Sequence, residues 1–168
     1  EVAQIPTGVM PHGSRMNARG THQYSVNMMN DDLVEVDVYR MQMGRRLRLS
    51  ENAPEHLAGS SAGNGGGEEH GGEAAIKTPL VKPTWATAPT PQGKLYVAGN
   101  GGAVVLEVDV DAWEITRSFD TPAGPYNIDT TADGKLLAVT YKSSKSVGFW
   151  DLETGRELWT VDLGLLES

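Results

Sequence analysis

The chain has 168 residues, enough for one ordinary domain, and a formal net charge of −8 at pH 7. That balance argues against a surface built to neutralise nucleic-acid phosphates. There is no cysteine, which excludes disulfides, Cys-ligated zinc or iron–sulfur centres and a thiol nucleophile, and no apolar run approaches the roughly 20 residues a membrane helix needs.

Residues 1–8 end in Ile5-Pro6-Thr7-Gly8, which looks like the last strand and exit turn of a preceding unit. No signal peptide is visible and the first residue is Glu1, so the chain is expected to be processed or cut from something longer. Residues 9–49 predict four strands, at 12–16, 23–28, 33–38 and 45–49. The last carries Arg45, Arg46 and Arg48, read as charges that keep an exposed outer strand from pairing edge to edge. Residues 50–82 break the pattern. Positions 58–72 are mostly Gly, Ser and Ala with a few acidic groups, cannot build a packed core, and read as a mobile inserted loop. Residues 83–121 predict strands at 85–88, 95–98, 103–108 and 114–118. Residues 124–163 predict them at 126–130, 136–141, 146–151 and 157–161. These runs are short, rich in β-branched and aromatic residues, and separated by turn chemistry such as Ala132-Asp133-Gly134-Lys135 and Glu153-Thr154-Gly155-Arg156.

The three units are copies. Aligning their first turns superposes Gly20, Gly93 and Gly134, and the third strands then end together at Asp37, Asp109 and Asp151. Four antiparallel strands in about 40 residues make one propeller blade, and one blade cannot cover both of its faces. The expected fold is therefore all-β, a partial β-propeller with three complete four-stranded blades. The recurring aspartates read as structural, a turn or strand-end hydrogen bond, because a catalytic acid belongs to one blade and not to every blade.

Chemistry is expected where the inner strands begin. Eight positions before each turn glycine stand His12, Trp85 and Tyr126; seven after it stand Asn27, Asn100 and Tyr141. Aromatic and amide groups converging on one rim are material for a binding site; the plainer alternative is that the aromatics wedge the inner strands apart. Arg15, Ala88 and Asp129 share a further inner-strand position whose charge varies, so Arg15 and Asp129 join the candidate ligand-binding set. His12, with Gly13 beside it, is a candidate metal or haem ligand or a hydrogen-bonded structural histidine. Met28 is a soft assistant to it, and His70, near Glu68 and Glu69 on the inserted loop, is a further metal-ligand candidate. The loop spacing is not that of a helix-borne zinc motif. No Gly-x-Ser-x-Gly elbow and no phosphate loop occurs. No catalytic residue is therefore assigned and no cofactor is expected, a metal or haem at His12 being the alternative.

Leu95-Tyr96-Val97-Ala98-Gly99-Asn100 after Thr90-Pro91-Gln92-Gly93-Lys94, with Val104 to Asp109 and the Ile5-Pro6-Thr7-Gly8 and Thr121-Pro122-Ala123-Gly124 joints, resembles the YVTN-type β-propeller repeat of YncE-like and surface-layer proteins. The resemblance covers most of the chain outside 50–82. It implies a seven-bladed parent in the periplasm or at the cell surface, with the missing blades supplied by the rest of the parent or by another chain. It implies a scaffold that binds a protein or small molecule through one face. Relatives include the haem d1 domain of nitrite reductases and lactonase-like propellers, which makes a redox propeller using His12 one alternative and a hydrolase another. No complete set of lactonase residues is found. The first unit departs from the family, with Asn17-Ala18-Arg19-Gly20 where the repeat has Pro-Asp-Gly.

Overall fold

The computed structural model describes residues 3–51 and 81–164. They fold into twelve strands: β1 Pro11–Met16, β2 His22–Asn27, β3 Asp32–Asp37, β4 Gln42–Arg48, β5 Pro83–Ala86, β6 Lys94–Gly99, β7 Val104–Asp109, β8 Glu114–Asp120, β9 Pro125–Thr130, β10 Leu136–Tyr141, β11 Ser146–Asp151 and β12 Arg156–Asp162. Each consecutive set of four is one antiparallel sheet in sequence order, so the protein is an all-β arc of three propeller blades. The inner strands β1, β5 and β9 stand side by side. His56, His70 and the acidic cluster of the inserted loop lie outside the described residues.

Strand alternation builds the core. Leu95 and Val97 of β6 face the first blade, in one apolar cluster with Tyr24, Val26 and Leu33. Tyr96 and Ala98, one residue out of phase, face the third blade with Leu137, Val139 and Trp150. Each fully buried aliphatic side chain stabilises the stack by about 1.5–3 kcal/mol.

A polar staple recurs inside these layers. Tyr96 donates to Glu107 at 3.0 Å, Arg117 holds the same carboxylate, and Arg117 also donates to the carbonyls of Leu152 (2.6 Å) and Glu153 (3.3 Å) in the next blade. Arg45 likewise grips Glu35 at 2.6 Å, reaches the Asp111 carbonyl at 3.4 Å and lies 4.4 Å above the Trp113 ring. Arg46 and Arg48 hold the fully buried Asp32 at 2.5 and 3.6 Å. The arginines of β4 are therefore not free edge charges. A carboxylate buried on β3 requires a cation from the neighbouring strand; β4 itself begins at Gln42, three residues earlier than expected. In the third blade Ala138, Phe149 and Trp159 occupy the Tyr, Glu and Arg positions. Phe149 and Trp159 stack at 5.2 Å, and Trp159 is 48% exposed on a face with no neighbour in the arc.

Four corners per blade have left-handed backbone, with φ from 48° to 81°: Met10, Gly20, Asp31 and Met41; Lys82, Gly93, Ala103 and Trp113; Gly124, Gly134, Lys145 and Gly155. Nine of these corners repeat at spacings of 72 and 42 residues, while the glycine corner used to align the units is spaced 73 and 41. The cause is a tighter turn in the second blade. Thr90 and Lys94 close it across four residues, where Asn17–His22 and Thr131–Leu136 close theirs across five. Counting from that glycine therefore misplaces the second blade by one. The register places Thr84, not Trp85, level with His12 and Tyr126, Thr87 level with Arg15 and Asp129 in place of Ala88, and Gly99 level with Asn27 and Tyr141 in place of Asn100.

The recurring aspartates do cap turns. Asp37 accepts from the Arg40 amide at 2.9 Å, Asp109 from Ala112 at 2.8 Å and Asp151 from Thr154 at 2.7 Å.

Candidate functional site

The site grows out of how the inner strands are joined. His12 approaches the Thr84 carbonyl through Nδ1 at 2.6 Å, and Thr84 donates its hydroxyl to the Tyr126 carbonyl at 2.6 Å. Three equivalent positions are thus zipped from blade to blade. A carbonyl only accepts, so Nδ1 carries the proton, and the Tyr126 hydroxyl, 3.3 Å from Nε2, donates to the other ring nitrogen. Gly13 follows His12 because the Trp85 indole occupies the space a Cβ would need.

Around this zipper a stripe of three rings with a cation at each end crosses all three blades. The Arg15 guanidinium lies 5.2 Å from the Trp85 centroid; Trp85 meets His12 edge-on at 6.1 Å; His12 meets Tyr126 edge-on at 5.6 Å; Lys142 Nζ lies 5.8 Å from the Tyr126 ring. Cations over ring faces are attracted by the ring quadrupole. Asp129 stands 4.0 Å from Arg15. Trp85 Nε1 is enclosed and has no acceptor among the described residues. Beside Tyr126 a hollow of about 440 Å³ is lined by Tyr141, Lys142, Lys145, Ser146 and Leu163.

Of the residues expected at the rim, His12, Arg15, Trp85, Tyr126 and Asp129 come together. Asn100 sits just beyond β6 and donates to the Pro125 carbonyl at 3.3 Å, tying two blades. Asn27 is fully buried, its amide committed to Asp32 at 2.6 Å and to Thr7. Tyr141 is 1% exposed; its hydroxyl accepts from Trp150 Nε1 at 2.7 Å and donates to Glu157 at 3.2 Å. Burial, and then Glu157, push the Tyr141 phenol pKa upward. These two positions turn inward because they lie at the end of β2 and β10, where the sheet packs on its neighbours. Lys142 and Thr84 were not singled out by residue type. Counting from Pro11, Pro83 and Pro125 instead of from the glycines finds Thr84; Lys142 lies in a polar connection that carries no motif.

Of the metal-ligand candidates, His12 has both ring nitrogens engaged, Met28 is buried at the turn after β2 and His70 lies outside the described residues, among which no three His, Asp or Glu side chains sit together as ligands would.

No sequence-family profile and no curated protein matches the chain. Solved structures do match in shape. Hydrazine synthase of Kuenenia stuttgartiensis overlays with a TM-score of 0.68 at 21% identity, over 95% of this chain and 39% of that one. The WD40 repeats of RRP9 overlay at 0.69 with 8% identity, over 94% and 40%. Virginiamycin B lyase from Staphylococcus aureus overlays at 0.61 with 14% identity, over 90% and 41%. The protein is similar to these in fold, and it spans about two fifths of the length of each.

Proposed function

We propose that the chain is part of a YVTN-type propeller outside the cytoplasm, a scaffold that binds a small molecule or a protein through the rim on which His12, Trp85 and Tyr126 meet. One observation carries this. Side chains from three blades, brought from positions 12, 85 and 126, form a single half-exposed stripe beside an open hollow. Rigid strands hold it, so recognition needs little ordering. Two neighbours in shape are named for reactions and one for its repeats; fold alone does not choose between such roles. The rim is mostly ring faces, and its one hydroxyl–imidazole contact, Tyr126 to His12 at 3.3 Å, joins the third blade to the first with the ring's other nitrogen fixed on the Thr84 carbonyl, which favours binding over bond-making. The remaining blades of the ring come from the parent chain or a partner. The test is a titration of fragments and peptides followed by amide NMR. Shifts centred on His12, Trp85 and Tyr126, removed by Tyr126→Ala with the β-sheet spectrum kept, support the reading. Shifts centred on the opposite end, at Asn17 and Thr131, overturn it.

A further inference from the structure

We propose that the rim takes small organic anions, an apolar or aromatic body bearing a carboxylate; this rests on the binding reading above and adds its charge class. Several cations elsewhere among the described residues are held tightly by carboxylates, Arg45 by Glu35 at 2.6 Å, Arg46 by Asp32 at 2.5 Å and Lys94 by Asp109 at 2.7 Å. At the rim the pairing is loose. Arg15 meets Asp129 only at 4.0 Å, and that carboxylate is 64% exposed. Lys142 rests on the Tyr126 ring, and Lys145 lines the same hollow. In a chain of net charge −8, Arg15, Lys142 and Lys145 outnumber the carboxylates Asp129 and Asp162, the latter opposite Ser146 in the sheet, and make the rim locally basic.

The chemistry between the cations is apolar. Tyr126 and Leu163 line the hollow that Lys142 and Lys145 flank. A ligand body lies against Tyr126 and Leu163 while its carboxylate reaches the lysine ammonium groups. The Arg15 guanidinium, over the Trp85 ring at 5.2 Å, donates through Nη1 to the Ser14 carbonyl at 3.1 Å, and its Nη2, only 4.0 Å from Asp129, can take a second anionic group at the far end of the stripe. An amine in the same place meets like charge from both lysines.

The experiment uses benzoate and benzylammonium, alike in ring and opposite in charge, titrated into the ¹⁵N-labelled chain. Benzoate is expected to move the Trp85 indole N–H and the Tyr126 and Lys142 amides saturably, and benzylammonium to leave them still. Lys142→Gln should weaken benzoate about tenfold, the loss expected for about 1.4 kcal/mol of charge-assisted contact, and added salt should weaken it further. Lys135→Gln, near Asp133 at the other end of the blade, should change nothing. Benzylammonium shifts at the rim equal to or larger than those of benzoate overturn the anion class and leave the rim as the binding face. A Lys142→Gln variant with unchanged benzoate affinity, or no saturable shift with benzoate, also overturns the proposal. Shifts away from the rim with both probes overturn the binding reading as well.

Discussion

Glu107 is 3% exposed, and burial by itself raises a carboxyl pKa. Bonds from Arg117, Thr116 and Tyr96 outweigh that and hold it below the ordinary value. Glu35 shows the same balance, with Arg45 overcoming burial. Tyr24, buried and then faced by Glu35, is pushed up to about 12. Asp37, Asp109 and Asp151 are held low, by the Arg40 amide, by Lys94 and by the Thr154 amide in turn. All five carboxyls have folded values below their unfolded ones. The stability they contribute is fully present above the ordinary carboxylate range of about 4 and is lost as pH falls through the depressed folded values. Urea midpoints should therefore hold from neutrality to about pH 5 and drop steadily below about pH 4. Arg117→Met should cost about 2–3 kcal/mol in urea unfolding, because it strands a buried carboxylate; adding Glu107→Leu should regain most of it.

At the scale of the strand and its corner, the two blade junctions solve one packing problem differently. Trp113 packs against the first layer, which also holds Leu47. At the second junction the large ring comes from Phe119, level with Leu47, and the corner opposite is Gly155, whose added Cβ would lie 2.7 Å from that ring. Gly155→Ala should lower stability by about 2 kcal/mol, from overpacking and a left-handed backbone together, and Phe119→Leu should relieve part of it; a double-mutant cycle in urea reads the coupling. Met41 is exposed at φ 54°, so Met41→Gly should raise stability by about 0.5–1 kcal/mol, the strain relieved exceeding the unfolded-state entropy added. The strands themselves were legible, since runs such as Leu136–Tyr141 and Ser146–Asp151 are short, β-rich and bounded by turn residues. The glycine corners at Gly20, Gly93, Gly134 and Gly155 were legible too; seven others were not, because they hold Met, Asp, Lys, Ala or Trp. Nor was the one-residue offset of the second turn, which made Trp85 look level with His12 when Thr84 is. The burial of Asn27 and Tyr141 was hidden for a related reason. Period and residue type place a side chain on a strand, but the neighbouring blade decides whether it meets water.

Taken whole, the arc has unlike ends. The outer face of the first blade holds Asp32 buried beneath Arg46, whose guanidinium also bonds the Thr7 carbonyl at 2.5 Å. The open face of the third carries Leu158, Trp159 and Val161, all exposed. An apolar surface of that kind seeks a cover. The chain on its own should bind an apolar dye and self-associate with rising concentration, and Trp159→Arg with Phe149→Glu, which writes the staple chemistry into the third blade, should reduce both; light scattering and dye fluorescence check it. The corner torsions carry a consequence of a different kind. The beat of the ring is kept by angles, and angles tolerate exchange of the residues that adopt them. Descendants of one ancestral blade can drift until their letters share little while their backbones still overlay, and lineage in such a protein is better traced by where the chain bends than by what is written there.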